Sequence, residues 1–174
     1  MSANLAVDIM IPLEEYPHVH YYHTLRQAVE VIKKSQLETS GGFSLPRALL
    51  VFDEEHNLLG ILRRRDILRG LEPKFLRTMS LRHRKELLEI EADTDLLVLS
   101  AGKIAKAIKE QAEQPVSEVM SPVVATVNHD DQITKVIYKM INRDQALLPV
   151  LKDRKVIGVV RSVDVFNAIV DLLD

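Results

Sequence analysis

The sequence repeats itself. Residues 48–66, ALLVFDEEHNLLGILRRRD, align without a gap on residues 146–164, ALLPVLKDRKVIGVVRSVD. Ala48, Leu49, Leu50, Gly60, Arg63 and Asp66 recur as Ala146, Leu147, Leu148, Gly158, Arg161 and Asp164. Upstream, VDIMIP at 7–12 matches SEVMSPV at 117–123, setting Met10 against Met120 and Pro12 against Pro122. HVHYYHTLRQAVEVIKK at 18–34 then lies against TVNHDDQITKVIYKMIN at 126–142. A repeated unit of this size is a supersecondary element that buries its apolar face against a neighbour, so two copies imply a shared core.

Each half reads as a Met-Pro segment, a short strand, a helix, a strand, a turn, a strand and a helix. The helix over 24–34 is predicted from Leu25, Ala28, Val29 and Ile32, spaced i, i+3, i+4 and i+7. Ile133, Val136, Ile137 and Met140 repeat that stripe in the second half. ALLVF before DEEHN and LLPVL before KDRK are short apolar runs bounded by turn residues, which is a strand signal. Runs apolar on nearly every residue belong to strands covered on both faces. Strands alternating with helices give a layered α/β or α+β fold.

The first half carries two insertions. One lies near EEYP at 14–17. The other, QLETSGGFS at 36–44, reads as a Gly/Ser/Thr-rich loop. The expected organisation is a first repeat over 1–70, a helical insertion over 71–115 and a second repeat over 116–174. Inside the insertion, RHRKELLEIE at 82–91 predicts one helix, and Asp93 or Thr94 caps a second that Pro115 closes.

Composition narrows the function classes. The net charge of −2 offers no field to hold DNA or an anionic membrane. Cysteine is absent, which excludes disulfides, zinc–cysteine sites and thiol catalysis; a cytoplasmic location is compatible with that. No apolar run approaches the length of a membrane span, and the N-terminus reads as no signal peptide. The chain lacks tryptophan and is only 5% aromatic, a poor basis for a base-stacking RNA surface. No nucleophile–base pair, Walker loop or paired carboxylates stand out, so a non-enzyme is expected.

The chemistry-bearing motif is Gly-apolar-apolar-x-x-x-Asp after a strand and at the start of a helix. It occurs as Gly60-Ile-Leu-Arg-Arg-Arg-Asp66 and as Gly158-Val-Val-Arg-Ser-Val-Asp164. With the VM-x-P opening and the ALLPV strand, the chain resembles a tandem pair of CBS domains, a Bateman module. The resemblance covers both halves outside 71–115. It implies two pseudo-symmetric β-α-β-β-α units packed sheet to sheet, with clefts that take AMP, ADP, ATP, S-adenosylmethionine or related adenosine compounds. It further implies a homodimer and regulation of a partner protein. Under the family pattern, Asp66 and Asp164 hold ribose hydroxyls. Arg63 and Arg161 stand where the family has Ser or Thr facing phosphate. The resemblance assigns the adenine slot to Met120, Ser121, Val123, Ala125 and Thr126 in the second repeat. The first-repeat stretch holds Met10, Ile11 and Val19, and its insertion beside Glu14, Glu15 and Tyr16 ranks that slot second.

The residues carry their own reading beside this. A helix N-terminus exposes unpaired N–H groups that suit anions. An aspartate one turn in offers two acceptors suited to a diol, with a dipole-stabilising first-turn acid as the alternative. An arginine there grips phosphate in two-pronged fashion. Arg64 and Arg65 read as solvated helix residues within reach of a phosphate in the cleft. His18, His20 and His23 read as a solvated strand edge, with a metal pair or a pH-sensitive contact as the alternatives. SLRHRKELLEIE, within 79–91, is an amphipathic segment, either packed on its own module or across a dimer, or bound to a partner.

Overall fold

A computed structural model of the protein describes residues 5–35, 37–39, 42–74 and 94–173. The first half contains α1 (Ala6–Ile9), β1 (Ile11–Pro12), β2 (His18–His20) and α2 (Leu25–Lys34), then β3 (Leu37–Thr39) and β4 (Gly42–Ser44). It continues with β5 (Ala48–Phe52), β6 (Leu58–Arg63) and α3 (Arg64–Leu71). After α4 (Thr94–Gln111) the second half runs through β7 (Val127–Asn128), α5 (Ile133–Asn142), β8 (Leu147–Lys152), β9 (Lys155–Arg161) and α6 (Ser162–Leu173). The predicted helix over 82–91 and the Asp93 cap lie outside the described residues. The helix predicted after them is α4.

The helices predicted over 24–34 and from the matching stripe of the second half form for the predicted reason. Thr24 accepts from the Gln27 N–H at 3.2 Å while the Gln27 side chain accepts from the Thr24 N–H at 2.9 Å, so α2 opens on a capping box. Its buried stripe is Leu25, Ala28 and Ile32; Val29 sits at the flank and is 39% exposed. In α5, Ile133, Val136 and Met140 are buried and Ile137 is half-buried. The segment 36–44 departs from expectation. Its ends pair as an antiparallel ribbon, Leu37 opposite Ser44, Glu38 opposite Phe43 and Thr39 opposite Gly42. Glycine and serine masked a strand signal that rests on ladder hydrogen bonds more than on side chains.

Two sheets carry the architecture, one in the order β2-β5-β6 and one in the order β1-β9-β8-β7. β2 runs parallel to β5 and β7 parallel to β8; β5–β6 and β8–β9 are hairpins. Asp153 and Arg154, at φ of 51° and 65°, close the second hairpin, which needs positive φ at both turn positions. Alternation along β5 serves two cores. Leu49 and Val51 face α2 and α3, together with Leu25, Ile32 and Ile67. Ala48, Leu50 and Phe52 face the other sheet and share a core with Tyr16, Ile61 and Val159. All five β5 residues are buried, as a strand covered on both faces requires.

The Met-Pro arms cross. Ile11 and Pro12 pair not with their own hairpin but with Val159 and Gly158 of β9. Ala6 is fully buried in the second unit's core and donates its N–H to the Asp131 carbonyl. In return, Ser121 forms a bridge to Ile61 of β6, with both N–H···O distances 2.9 Å. Val116 fills the first unit's core, its N–H donated to the His23 carbonyl. Glycine is needed where the arms cross. A Cβ on Gly60 would come within 2.8 Å of the Ser121 carbonyl oxygen and the Met120 sulfur. A Cβ on Gly158 would overlap the Ile11 carbonyl oxygen outright. Close backbone approach accounts for glycine in both copies of the motif.

Candidate functional site

The hairpins set the site. Arg63 ends β6 and Arg161 ends β9, in register with Ala48 and Leu147 respectively. From there the chain turns directly into α3 and α6. The Arg64 N–H bonds the Arg47 carbonyl and the Ser162 N–H bonds the Ala146 carbonyl. The two helix starts therefore open onto one cleft of about 590 Å³ between the units. Arg47, Arg63, Arg64 and Arg65 line it from the first unit, and Gln145, Arg161 and Ser162 from the second. Leu45, Pro46, Ala48, Ile61, Ala146, Leu147 and Val163 supply its apolar surface, with Tyr16 alongside. Among the described residues, no carboxylate lines it. Its size suits a small organic ligand, and its charge suits an anion.

Two arginines are already engaged. The Arg63 Nη2 donates across the cleft to the Gln145 side-chain oxygen at 2.6 Å, linking the units. Arg161 grips Asp164 with Nε and Nη2 at 2.8 and 2.5 Å, and its backbone N–H donates to the same carboxylate at 2.9 Å. That carboxylate holds the Arg161 guanidinium protonated more firmly than usual, against the opposing effect of burial. Tyr16 is buried and donates its hydroxyl to the Ala48 carbonyl at 2.7 Å. Burial raises its phenol well above the ordinary range; Arg161 opposes the rise and Asp164 adds to it.

The predicted site residues are distributed differently from their grouping in the sequence. Of the motif and adenine-slot residues, Arg63 and Arg161 line the cleft, beside the exposed Arg64 and Arg65. Asp164 lies behind Arg161. Asp66 is 1% exposed, and one of its oxygens accepts from the Arg63 N–H at 3.0 Å and the Ser121 hydroxyl at 3.3 Å. Its other oxygen is buried and accepts no hydrogen bond among the described residues, with the Arg69 guanidinium 3.7 Å away. Because the arms cross, Ser121 meets Asp66 rather than Asp164. Met120 packs beside Gly60, and Val123 joins the core between the sheets. Ile11 and Met10 occupy the equivalent place beside Gly158. Ala125 and Thr126 line a separate hollow with Tyr138, Lys139, Asn142 and Arg143. Val19 is buried in the first unit's core. Sequence reasoning missed Tyr16, Leu45 and Arg47 as cleft residues. The available signal was the repeated small residue, Ala48 and Ala146, at the start of each hairpin.

The histidines form a ring cluster. His20 stacks on Tyr22 at 5.4 Å and meets the edge of His23 at 5.6 Å. Burial, and then His20, lower the His23 pKa, and the His23 Nδ1 accepts from the His20 N–H. Among the described residues, no group of three metal-binding side chains has the geometry to hold an ion. None of their helices is long and apolar enough to cross a membrane.

The family model described as the CBS domain matches residues 6–73 and 116–171. No curated protein matches the sequence. Solved structures do. CBSX2 in complex with AMP superposes with a TM-score of 0.63 at 17% identity, covering 98% of each chain. The CBS domain of a CBS domain containing membrane protein from Sphaerobacter thermophilus gives 0.66 at 20% identity, covering 96% of this chain and 88% of that one. The cytosolic domain of the Mg2+ channel MgtE in complex with ATP gives 0.60 at 21% identity, covering 94% of this chain but 48% of that one. At these identities the likeness is one of fold.

Proposed function

The chain belongs to the CBS-domain family, and on that premise we propose that it is a regulatory module that holds an adenine nucleotide between its repeats. The observation that carries this reading is the cleft, with an arginine from each copy of the motif on its wall and no acid lining it among the described residues. Occupancy bridges the two helix starts and so biases how the units sit against one another. A partner protein that reads that bias is regulated by it. The AMP and ATP complexes of similar folds support the ligand class. The arginines in the hydroxyl positions hold phosphate by charge.

Calorimetry tests this. At least one of AMP, ADP and ATP is expected to bind with one site per chain, and S-adenosylmethionine, which lacks phosphate, more weakly. Arg161→Ala removes a guanidinium and leaves Asp164 as an unpaired carboxylate beside the phosphate. Affinity is expected to fall about tenfold or more, the scale of one lost charge-assisted bond. No heat from any nucleotide at millimolar concentration overturns the reading.

One observation favours a second reading. Asp164 is fully engaged by Arg161 and Asp66 is buried, so neither offers itself to a ribose in this structure. A protein-interaction module with vestigial clefts would look this way. Its mark is a partner retained equally with and without nucleotide. A tenfold change in partner affinity, about 1.4 kcal/mol of coupling, excludes it.

We also propose a homodimer. Phe166, Val170 and Leu173 recur at i, i+4 and i+7 on α6 and are 63%, 40% and 81% exposed. Tyr138 and Ile141 of α5, a helix that packs on α6, are also exposed, at 65% and 73%. An apolar stripe of that length on a helix pair suits an isologous contact. Sedimentation is expected to show twice the 19.8 kDa chain mass, reverting to the single mass in Phe166→Asp. A wild-type monomer at tens of micromolar overturns the dimer.

A further inference from the structure

The two walls of the cleft differ in charge. The repeats align Arg47, Arg64 and Arg65 of the first unit with Gln145, Ser162 and Val163 of the second. All six line the cleft. Of the two arginines the repeats share, Arg161 is ion-paired with Asp164, and Arg63 is hydrogen-bonded to Gln145. The side chains of Arg47, Arg64 and Arg65 meet no carboxylate among the described residues. Three unpaired guanidinium groups on one wall repel one another unless an anion lies among them. The opposite wall, at Ala146, Leu147 and Val163, is apolar.

We propose that this wall reads phosphate number: the cleft selects a nucleoside triphosphate over a monophosphate. The phosphate chain runs along Arg47, Arg64 and Arg65, and the nucleoside lies against Ala146, Leu147 and Val163. This rests on the nucleotide reading above and adds to it a ligand class, an orientation and three selectivity residues. A single phosphate satisfies the Arg63–Arg161 pair alone. Each further phosphate meets a cation that nothing else occupies, through two parallel N–H···O bonds. These arginines are exposed, so their contribution weakens as salt rises.

The test uses the second repeat's own residues as replacements: Arg47→Gln, Arg64→Ser and Arg65→Val, singly and together. That choice keeps side chains that the same hairpin-to-helix turn already tolerates. AMP, ADP, ATP and inorganic tripolyphosphate are titrated into the wild type and the triple variant at two salt concentrations. Wild type is expected to bind ATP at least about tenfold tighter than AMP, with ADP between and the gap narrowing as salt rises. In the triple variant the ATP-to-AMP ratio is expected to fall towards one, ATP losing more affinity than AMP. Equal wild-type affinities for AMP and ATP overturn the selectivity and leave the nucleotide reading standing. A ratio that survives the triple replacement overturns the assignment to these arginines. Tripolyphosphate binding as tightly as ATP overturns the nucleoside half of both readings, and binding by none of the four overturns both.

Discussion

Gly158→Val is expected to prise residues 5–12 off the second unit and to lower stability by about 3 kcal/mol, the upper range for forcing atoms into a packed site. The obstacle is backbone. A Cβ there overlaps the Ile11 carbonyl oxygen and comes within 3.0 Å of the Met10 sulfur. The sulfur can swing aside; the carbonyl is fixed by the Ile11–Val159 ladder. Relief requires opening the ladder, and with it goes the burial of Ala6, which has no exposed surface at all. Gly60→Val meets a partly movable neighbour, the Met120 side chain, together with the Ser121 carbonyl, so its cost is expected to be smaller. Gly102→Ala serves as the control, because a methyl there meets nothing within 4 Å and relieves a glycine in the middle of α4. Urea midpoints rank the three, and limited proteolysis reports release of the N-terminal arm. Equal midpoints for Gly158→Val and wild type would show that the arm crossing contributes little.

Asp66→Ala is expected to lower stability by about 2 kcal/mol, within the range for removing an N-terminal helix acceptor or stranding a buried donor. The carboxylate accepts the Arg63 N–H at the head of α3, and the same oxygen receives the Ser121 hydroxyl from the crossing arm. Its removal leaves the Arg63 N–H unpaired and loosens the arm from β6 together. Asp66→Asn keeps an acceptor oxygen and is expected to lose less. Asp164→Ala acts differently. It frees Arg161 towards the cleft, so nucleotide affinity changes along with the melting temperature. Thermal melts of the three variants, paired with nucleotide titrations, separate the roles. An Asp66→Ala protein that melts with the wild type and binds nucleotide more weakly would make Asp66 a ligand residue and not a structural one.

The repeat, the helices α2 and α5 and the hairpins β5–β6 and β8–β9 were legible because each rests on a local signal. Leu25, Ala28 and Ile32 mark a helical face wherever the helix is placed, and ALLVF marks a strand covered on both sides. The crossing of the arms was not legible. The match of Met10 to Met120 says the two segments are equivalent; it is silent on which hairpin each one joins. That choice is tertiary, and it moved Ser121 from an expected place beside Asp164 to one beside Asp66. The glycines were read as part of a ligand motif, and their packing role appears only once a foreign backbone lies over them. The cleft was half legible. Arg63 and Arg161 were found from the motif, whereas Arg47 sits outside the motif, in the approach to β5.

The crossing arms also bear on how such a chain can be divided. Residues 13–71 alone would have a sheet edge at β6 and a vacancy where Val116 sits, and both are filled only by sequence from beyond α4. The second hairpin likewise needs Ile11 and Ala6 from the far end of the sequence. Neither half is a self-sufficient building block. A gene encoding one half would yield a protein that completes itself only by lending its arm to a second molecule and borrowing one back. Joining two halves in one polypeptide makes that loan internal, which fixes the stoichiometry and ties any pull on the leading segment to the trailing unit.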